Sequence, residues 1–271
     1  MAEIIYGRLP VLNALKGVRK PKQVYLFKES PDKRIQYACV ENHVRYALME
    51  RSVLDRMAGT PKHQGAVAEV DDFGYADFSA ELSKSLAKPD PLVLMLDGLD
   101  DPVNLGSAIR NAAAFCVDFV VIRKDREVGV TPTVVKISTG ATETMPICQV
   151  TNLAEALETL KSHGFWSVAA AGQGTSYYDE IDYSYPTVLV IGNEGFGISD
   201  KILKKADFIA KIPMSGTVSS LNASVASAVF LAAIVAHRRS RTVLLGKKSQ
   251  PKAREFRWLR RAQWPSRGGR F

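Results

Sequence analysis

Unbroken apolar stretches punctuate the second half of the chain: LVLMLDGL from Leu92, FVVIR from Phe119, MPICQV from Met145, SVAAAG from Ser167, TVLVIG from Thr187 and FIAKIP from Phe208. Continuous instead of alternating apolarity marks strands covered on both faces. Between them, apolar positions at helical spacing predict helices over Leu105 to Cys116, Leu153 to His163 and Ala223 to about His237. A mainly parallel, three-layer α/β domain follows. Its ligands are expected at the carboxyl ends of the strands.

The first part reads differently. KQVYLFK (Lys22 to Lys28) and AVAEV from Ala66 predict strands, and the stretches Ile35 to Arg45 and Ser52 to Ala58 predict polar helices. This is a small α/β unit. Two prolines and several small or charged residues between Ser83 and Pro91 suggest a connection. The expected organisation is a first domain over 1–84, a linker at 85–91, a second domain over 92–240 and a tail over 241–271. A chain of 271 residues, 46% of them hydrophobic, can bury cores of that number and size.

Charge refines this picture. The formal net charge is +8, and residues 241–271 hold ten Lys and Arg against one Glu, so that segment carries +9 and the rest −1. A basic arm attracted to phosphate and a solvated terminus both fit. The three cysteines, Cys39, Cys116 and Cys148, are far apart, which gives no disulfide framework or zinc spacing and is read as buried structural thiols. No metal is expected. MAEIIYGRLP lacks the basic and apolar regions of a secretory leader, and the apolar helix around Val225 to Ala236 is too short to span a bilayer. A soluble, cytoplasmic setting is the expectation, without a membrane partner.

Candidate chemistry begins with exclusions. There is no GxxxxGK[ST], and the first strand of the second domain leads into Asp97-Gly98-Leu99-Asp100-Asp101-Pro102, not into a GxGxxG turn. Gly195-Phe196-Gly197 and Gly172-Gln173-Gly174 each lack the third glycine. Three other segments stand out, each after a strand-like run: DPVNLGSAIRNAA from Asp101, VLVIGNEGFGIS from Val188 and IPMSGTVSSLNASVA from Ile212. In the first, Asn104 is expected to cap the helix, with Leu105, Ile109, Ala112 and Cys116 as its buried stripe and Arg110 off that stripe. A guanidinium with five donors suits bidentate phosphate binding and makes a poor base. In the second, Glu194 is placed at the rim of the ligand crevice, where it can orient Arg110 or a substrate hydroxyl. In the third, Ile212, Met214 and Leu221 offer apolar walls, while Ser219, Ser220 and Asn222 offer hydroxyl and amide groups. Asn222 equally reads as a helix cap.

In this order the three segments resemble the signature motifs of the SpoU-type (TrmH-like) RNA ribose 2′-O-methyltransferases, the trefoil-knotted branch of the SPOUT superfamily. The resemblance implies S-adenosylmethionine as cofactor, a deep trefoil knot through the last strand, loop and helix, and a site at a homodimer interface. Carried over residue by residue, the catalytic group is Asn104, Arg110, Glu194, Ser220 and Asn222. The cofactor contacts are Gly192, Ile212 and Leu221, with Gly172 placed in the same pocket. In the family the motif arginine is sometimes held to activate the 2′-hydroxyl.

IIYGRLPVLNALKG (Ile4 to Gly17) and KHQGAVAEV (Lys62 to Val70) resemble the ribosomal-protein-like RNA-binding domain that precedes the catalytic domain in several of these enzymes, notably the bacterial 23S rRNA guanosine 2′-O-methyltransferases. The likeness thus spans about residues 4 to 238. Tyr6 and Arg8, flanking Gly7, suit base stacking and phosphate binding, and His63 is a weaker candidate. The tail departs from the compact family pattern, and its two tryptophans among arginines fit RNA contact or docking on the protein itself. The expected function is methyl transfer to a ribose 2′-hydroxyl of structured RNA, a guanosine in 23S rRNA foremost. A tRNA enzyme and a non-catalytic assembly factor are the alternatives, and a resistance enzyme acting on rRNA shares the chemistry.

Overall fold

A computed structural model describes residues 2–125, 127–217 and 220–245. Ser219 and the tail from 246 onwards lie outside these described residues.

The first domain is built from β1 (Ala2–Tyr6), α1 (Arg8–Lys16), β2 (Gln23–Phe27), α2 (Lys33–Glu41), β3 (Arg45–Met49), α3 (Arg51–Ala58) and β4 (Ala66–Asp71). Its strands form one sheet in the order β1-β4-β2-β3, antiparallel except for the β2–β3 pair. β1, α1 and β3 are absent from the sequence reading. The helix expected to reach Arg45 stops at Glu41, because Asn42 closes it with its own side chain on the Ala38 carbonyl (2.9 Å) and His43 turns to φ 55°. The chain then restarts as β3.

The second domain follows through α4 (Phe78–Leu86), whose N-cap Asp77 accepts from Ala80 N at 2.8 Å. This helix runs into the stretch expected as linker. Next come β5 (Leu92–Asp97), α5 (Pro102–Ala114), β6 (Phe119–Arg123), α6 (Pro132–Ile137), β7 (Ile147–Val150), α7 (Leu153–Ser162), β8 (Trp166–Ala170), the two-residue β9 (Ser176–Tyr177), β10 (Thr187–Gly192), α8 (Asp200–Leu203), β11 (Phe208–Lys211) and α9 (Ala223–Leu245). All pairs in the seven-stranded sheet are parallel, in the order β7-β6-β5-β10-β8-β11-β9. α9 continues past the expected end at His237.

Alternation within the central strands explains why they read as solid apolar runs. Leu92, Leu94 and Leu96 face one core with α5, α6 and α9, whereas Val93 and Met95 face another with α4, α7 and α8. Both faces are buried. The first core also contains Ile5, Val11 and Leu15, so apolar packing is continuous from the first domain into the second. Polar contacts reinforce this seam. Arg19 pairs with Glu3 and with the fully buried Glu143 (Nη2 to Oε1, 2.7 Å), while Asn13 Nδ2 donates to the Thr139 carbonyl at 2.9 Å. At the other end of α9, Arg238 donates to the carbonyls of Asp90, Tyr183 and Tyr185. That fan of bonds fixes the helix against the start of the sheet.

Candidate active site

Parallel register brings the carboxyl ends of β5, β10, β8 and β11 to one edge, since Gly192 pairs with Asp97, and Ala170 with both Ile191 and Ala210. The loops leaving that edge surround a cleft of about 240 Å³. Gly172, Gly192, Ile212 and Leu221 all line it, as do Glu194 and Ser220. Sequence reasoning missed Phe196 and Gln173, which also face it.

The turn after β10 closes on itself, with Asn193 and Gly197 exchanging backbone hydrogen bonds of 3.1 and 2.8 Å. It comes so close that a Cβ on Gly192 would stand 2.3 Å from the Gly197 carbonyl carbon. Asn193 holds the turn in place: its Oδ1 accepts from Gly195 N (2.7 Å), and its Nδ2 donates to the Gly98 carbonyl (2.7 Å). An asparagine two residues before a glycine is the signal that could have found it. Beneath lies buried Asp97, which accepts from Ser199 N (2.8 Å) and pairs with Arg123 (2.7 Å). Glu127 completes this floor by accepting from Gly98 N (2.6 Å) and Arg123 N (3.0 Å). Burial pushes the Glu127 carboxyl above its ordinary value despite those bonds.

Three predicted catalytic residues meet above this floor. Asn222 donates through Nδ2 to Asn104 Oδ1 (2.8 Å) and to Glu194 Oε1. Its Oδ1 meanwhile caps α9, accepting from Ser224 N (3.0 Å) and Val225 N (3.3 Å). Asn222 is therefore the helix cap that one reading expected, while the other end of its amide joins Asn104 and Glu194. Glu194 also accepts from Ala223 N at 3.2 Å, placing a carboxylate at the positive end of a long helix.

Two expectations about α5 are corrected. Asn104 does not cap it: Asp101 does, accepting from Val103 N at 2.9 Å with Pro102 in the first turn, so Asn104 falls on the buried face and reaches α9. Asp-Pro is the stronger start signal. Cys116 is exposed, because the chain leaves the helix there with φ 56°, and of the four residues expected in the stripe Leu105, Ile109 and Ala112 are buried, together with Ala108.

Arg110 is exposed on α5, and among the described residues it forms no hydrogen bond or ion pair. Glu194 is engaged with Asn222 and Ala223, so the expected Glu194–Arg110 contact is not formed. Ser220 is exposed at the rim of the cleft.

Of the predicted RNA contacts, Arg110 is on α5, whereas Tyr6 and Arg8 belong to the first domain. Arg8 lines a concavity of about 740 Å³ on the first domain together with Arg34, Arg51 and Lys62. Its Nε donates to the Gln64 carbonyl (3.2 Å) and lies 3.7 Å from Asp32. Arg34 and Arg51 lie outside the two segments singled out in the sequence, and no local motif announced them. Tyr6 is half-buried, its ring faced by Lys136 Nζ at 5.9 Å. His63 is buried and bonded on both nitrogens, to Asp55 (2.9 Å) and to Gly65 N (3.0 Å), as a structural histidine is.

Comparison with known proteins agrees with this architecture. The SpoU rRNA Methylase family matches residues 91–232, and the RNA 2′-O ribose methyltransferase substrate binding family matches residues 4–76. A Staphylococcus saprophyticus protein assigned to the TrmH family of tRNA/rRNA methyltransferases is 40% identical over 233 residues, covering 84% of this chain and 93% of its own. The fold is shared with the SpoU methyltransferase AviRb from Streptomyces viridochromogenes, solved in complex with AdoMet (TM-score 0.73, 23% identity, 88% of this chain and 90% of that one). The A. aeolicus TrmH/SpoU tRNA modifying enzyme aligns with TM-score 0.52 at 27% identity, over 65% of this chain and 90% of its own. By its two matched domains and its extended identity to a TrmH relative, the chain belongs to the SpoU (TrmH) family of RNA ribose 2′-O-methyltransferases.

Proposed function

We propose that this protein transfers a methyl group from S-adenosylmethionine to the ribose 2′-hydroxyl of a guanosine in 23S rRNA. The observation that carries the reading is the hydrogen-bonded group Asn104, Asn222 and Glu194 standing beside a cleft walled by Gly192, Ile212 and Leu221. The cleft suits the cofactor, since apolar walls meet loop backbone and one carboxylate, the usual composition of a small-molecule site. Open space beside Gly172 leaves room for a ligand edge. When bound, S-adenosylmethionine supplies an electrophilic methyl group.

The residues of the chain do the positioning. Ile212 and Leu221 offer apolar lining, and Asn193 and Asp97 hold the turn that presents Glu194. Glu194 sits where it can receive a hydrogen bond from a ribose hydroxyl. Arg110, with no acidic partner among the described residues, is available to a phosphate. Exposed Phe196 and Met214 at the cleft support a second copy covering this face, hence a homodimer. β10 enters between β8 and β5 after both have been laid down, and this chain order supports the trefoil knot.

Labelled cofactor incubated with unmodified 23S rRNA and tRNA transcripts, followed by mapping of the methylated nucleotide, tests the proposal. Transfer to one guanosine of the 23S transcript is expected, with Glu194→Ala slower by roughly 10²-fold through lost positioning. Transfer to tRNA alone favours the tRNA reading. Absence of transfer to any RNA, with Arg110→Ala behaving as wild type, rejects catalysis.

A further inference from the structure

Lys136, in α6 of the second domain, reaches across to the first. Its Nζ faces the Tyr6 ring, and a Cβ on Gly7 would come within 2.5 Å of that nitrogen. The side chain is half-buried, and burial pushes its amine below the ordinary lysine value.

Several half-buried cations are matched by acids, whereas Arg238 is held by carbonyls and Lys211 lies over the Tyr177 ring. Arg19 has Glu3 and Glu143, Arg123 has Asp97 and Glu127, and Lys161 has Asp207. Lys136 has none: among the described residues no carboxylate lies within ion-pair distance of it, and it donates no hydrogen bond. An aromatic face offsets part of the cost of holding an ammonium away from water, but it leaves the N–H donors unfilled. A tetrahedral anion arriving from solution would fill them.

The surroundings say which anion. Immediately past Gly7, Arg8 opens the basic concavity it shares with Arg34, Arg51 and Lys62, where Asp32 answers only Arg8 and Arg34. On the other side α6 packs on α5 so closely that a Cβ on Gly106 would stand 2.7 Å from Ile137 Cβ. Lys136 is thus the cationic step between the concavity and the helix that holds Asn104 and Arg110.

We propose that Lys136 binds a phosphodiester of the RNA at the seam between the domains, guiding the strand from the Arg8 concavity towards α5. The proposal rests on RNA being the substrate, and it does not require that methyl transfer occur. The test is equilibrium binding of the full chain to unmodified 23S rRNA and tRNA transcripts over a series of KCl concentrations, without cofactor. Lys136→Gln should bind the preferred transcript roughly tenfold more weakly at low salt, as for a lost charge-assisted bond. The slope of log affinity against log salt should fall by about one unit. Lys136→Arg should retain both properties.

Thermal melting separates this role from a packing one. Lys136→Gln should melt at or above the wild-type midpoint, since it removes an unpaired, partly desolvated charge. A lower midpoint with an unchanged salt slope overturns the proposal, and so does a wild-type protein that binds neither transcript. An unchanged slope in a protein that still methylates RNA rejects the Lys136 site while sparing the enzyme. A Lys136-dependent slope without any transfer does the reverse.

Discussion

Gly192 has a hydrogen where any other residue would push against the Asn193–Gly197 turn. Gly192→Ala should displace that turn, and Glu194 with it, at a cost of about 1–3 kcal/mol in stability from the forced overlap. Calorimetric titration with S-adenosylmethionine should find binding lost or weakened by more than tenfold. Wild-type affinity would show that the turn yields freely. A second prediction concerns thiols. Burial pushes Cys39 up to about 11 and Cys148 up to about 12, while Cys116 is exposed. An aromatic disulfide reagent at neutral pH should label Cys116 alone in the folded protein and all three cysteines in denaturant. Rapid labelling of a Cys116→Ser variant would contradict the burial of the other two. At this scale the sequence singled out Asn104, Glu194 and Asn222, which the fold brings together, but it wrongly made Asn104 the cap of α5. Position in a helix depends on which residue starts it, and Asp101-Pro102 competes with Asn104 for that role.

Among the elements, α1 has the weight of joining the two domains, because Arg19 just beyond it answers Glu143. Arg19→Met leaves a fully buried carboxylate without its cation, and such losses cost about 3–5 kcal/mol. Urea unfolding should show it. Arg19→Met combined with Glu143→Gln should lose less than the sum of the single changes, and strict additivity would deny that the pair couples. The same helix illustrates what the sequence hid. RLPVLNALK has an apolar stripe, yet Gly7 and Pro10 at its start read locally as a turn. β3 was hidden for another reason: RYALM lies on a sheet edge where the exposed positions carry Tyr46 and Leu48, so no alternation of apolar and polar residues marks it. The strands of the second domain were legible because both faces are buried, which leaves a pattern that survives without context.

For the molecule as a whole, acid sensitivity follows from Asp207. Burial works against its ionised form, but hydrogen bonds from Ser167 and the Lys161 ion pair outweigh that and hold it below the ordinary aspartate value. A carboxyl lowered on folding contributes stability above its unfolded value, and that contribution disappears as pH falls through the folded one. Melting temperature should therefore drop on acidification through the carboxylate range, and Asp207→Asn should flatten part of that drop. An Asp207→Asn curve parallel to wild type would exclude this source. The strand order has a further consequence, for synthesis. All strands of the first sheet lie within residues 2–71, so it can close as soon as β4 leaves the ribosome. The second sheet cannot, because β10 fills the space between β5 and β8 and is made after both. A nascent chain paused before Thr187 exposes the free edge of β5 and leaves β8 without either of its neighbours, β10 and β11. The interval of translation between β8 and β10 is where a newly made chain most needs a chaperone.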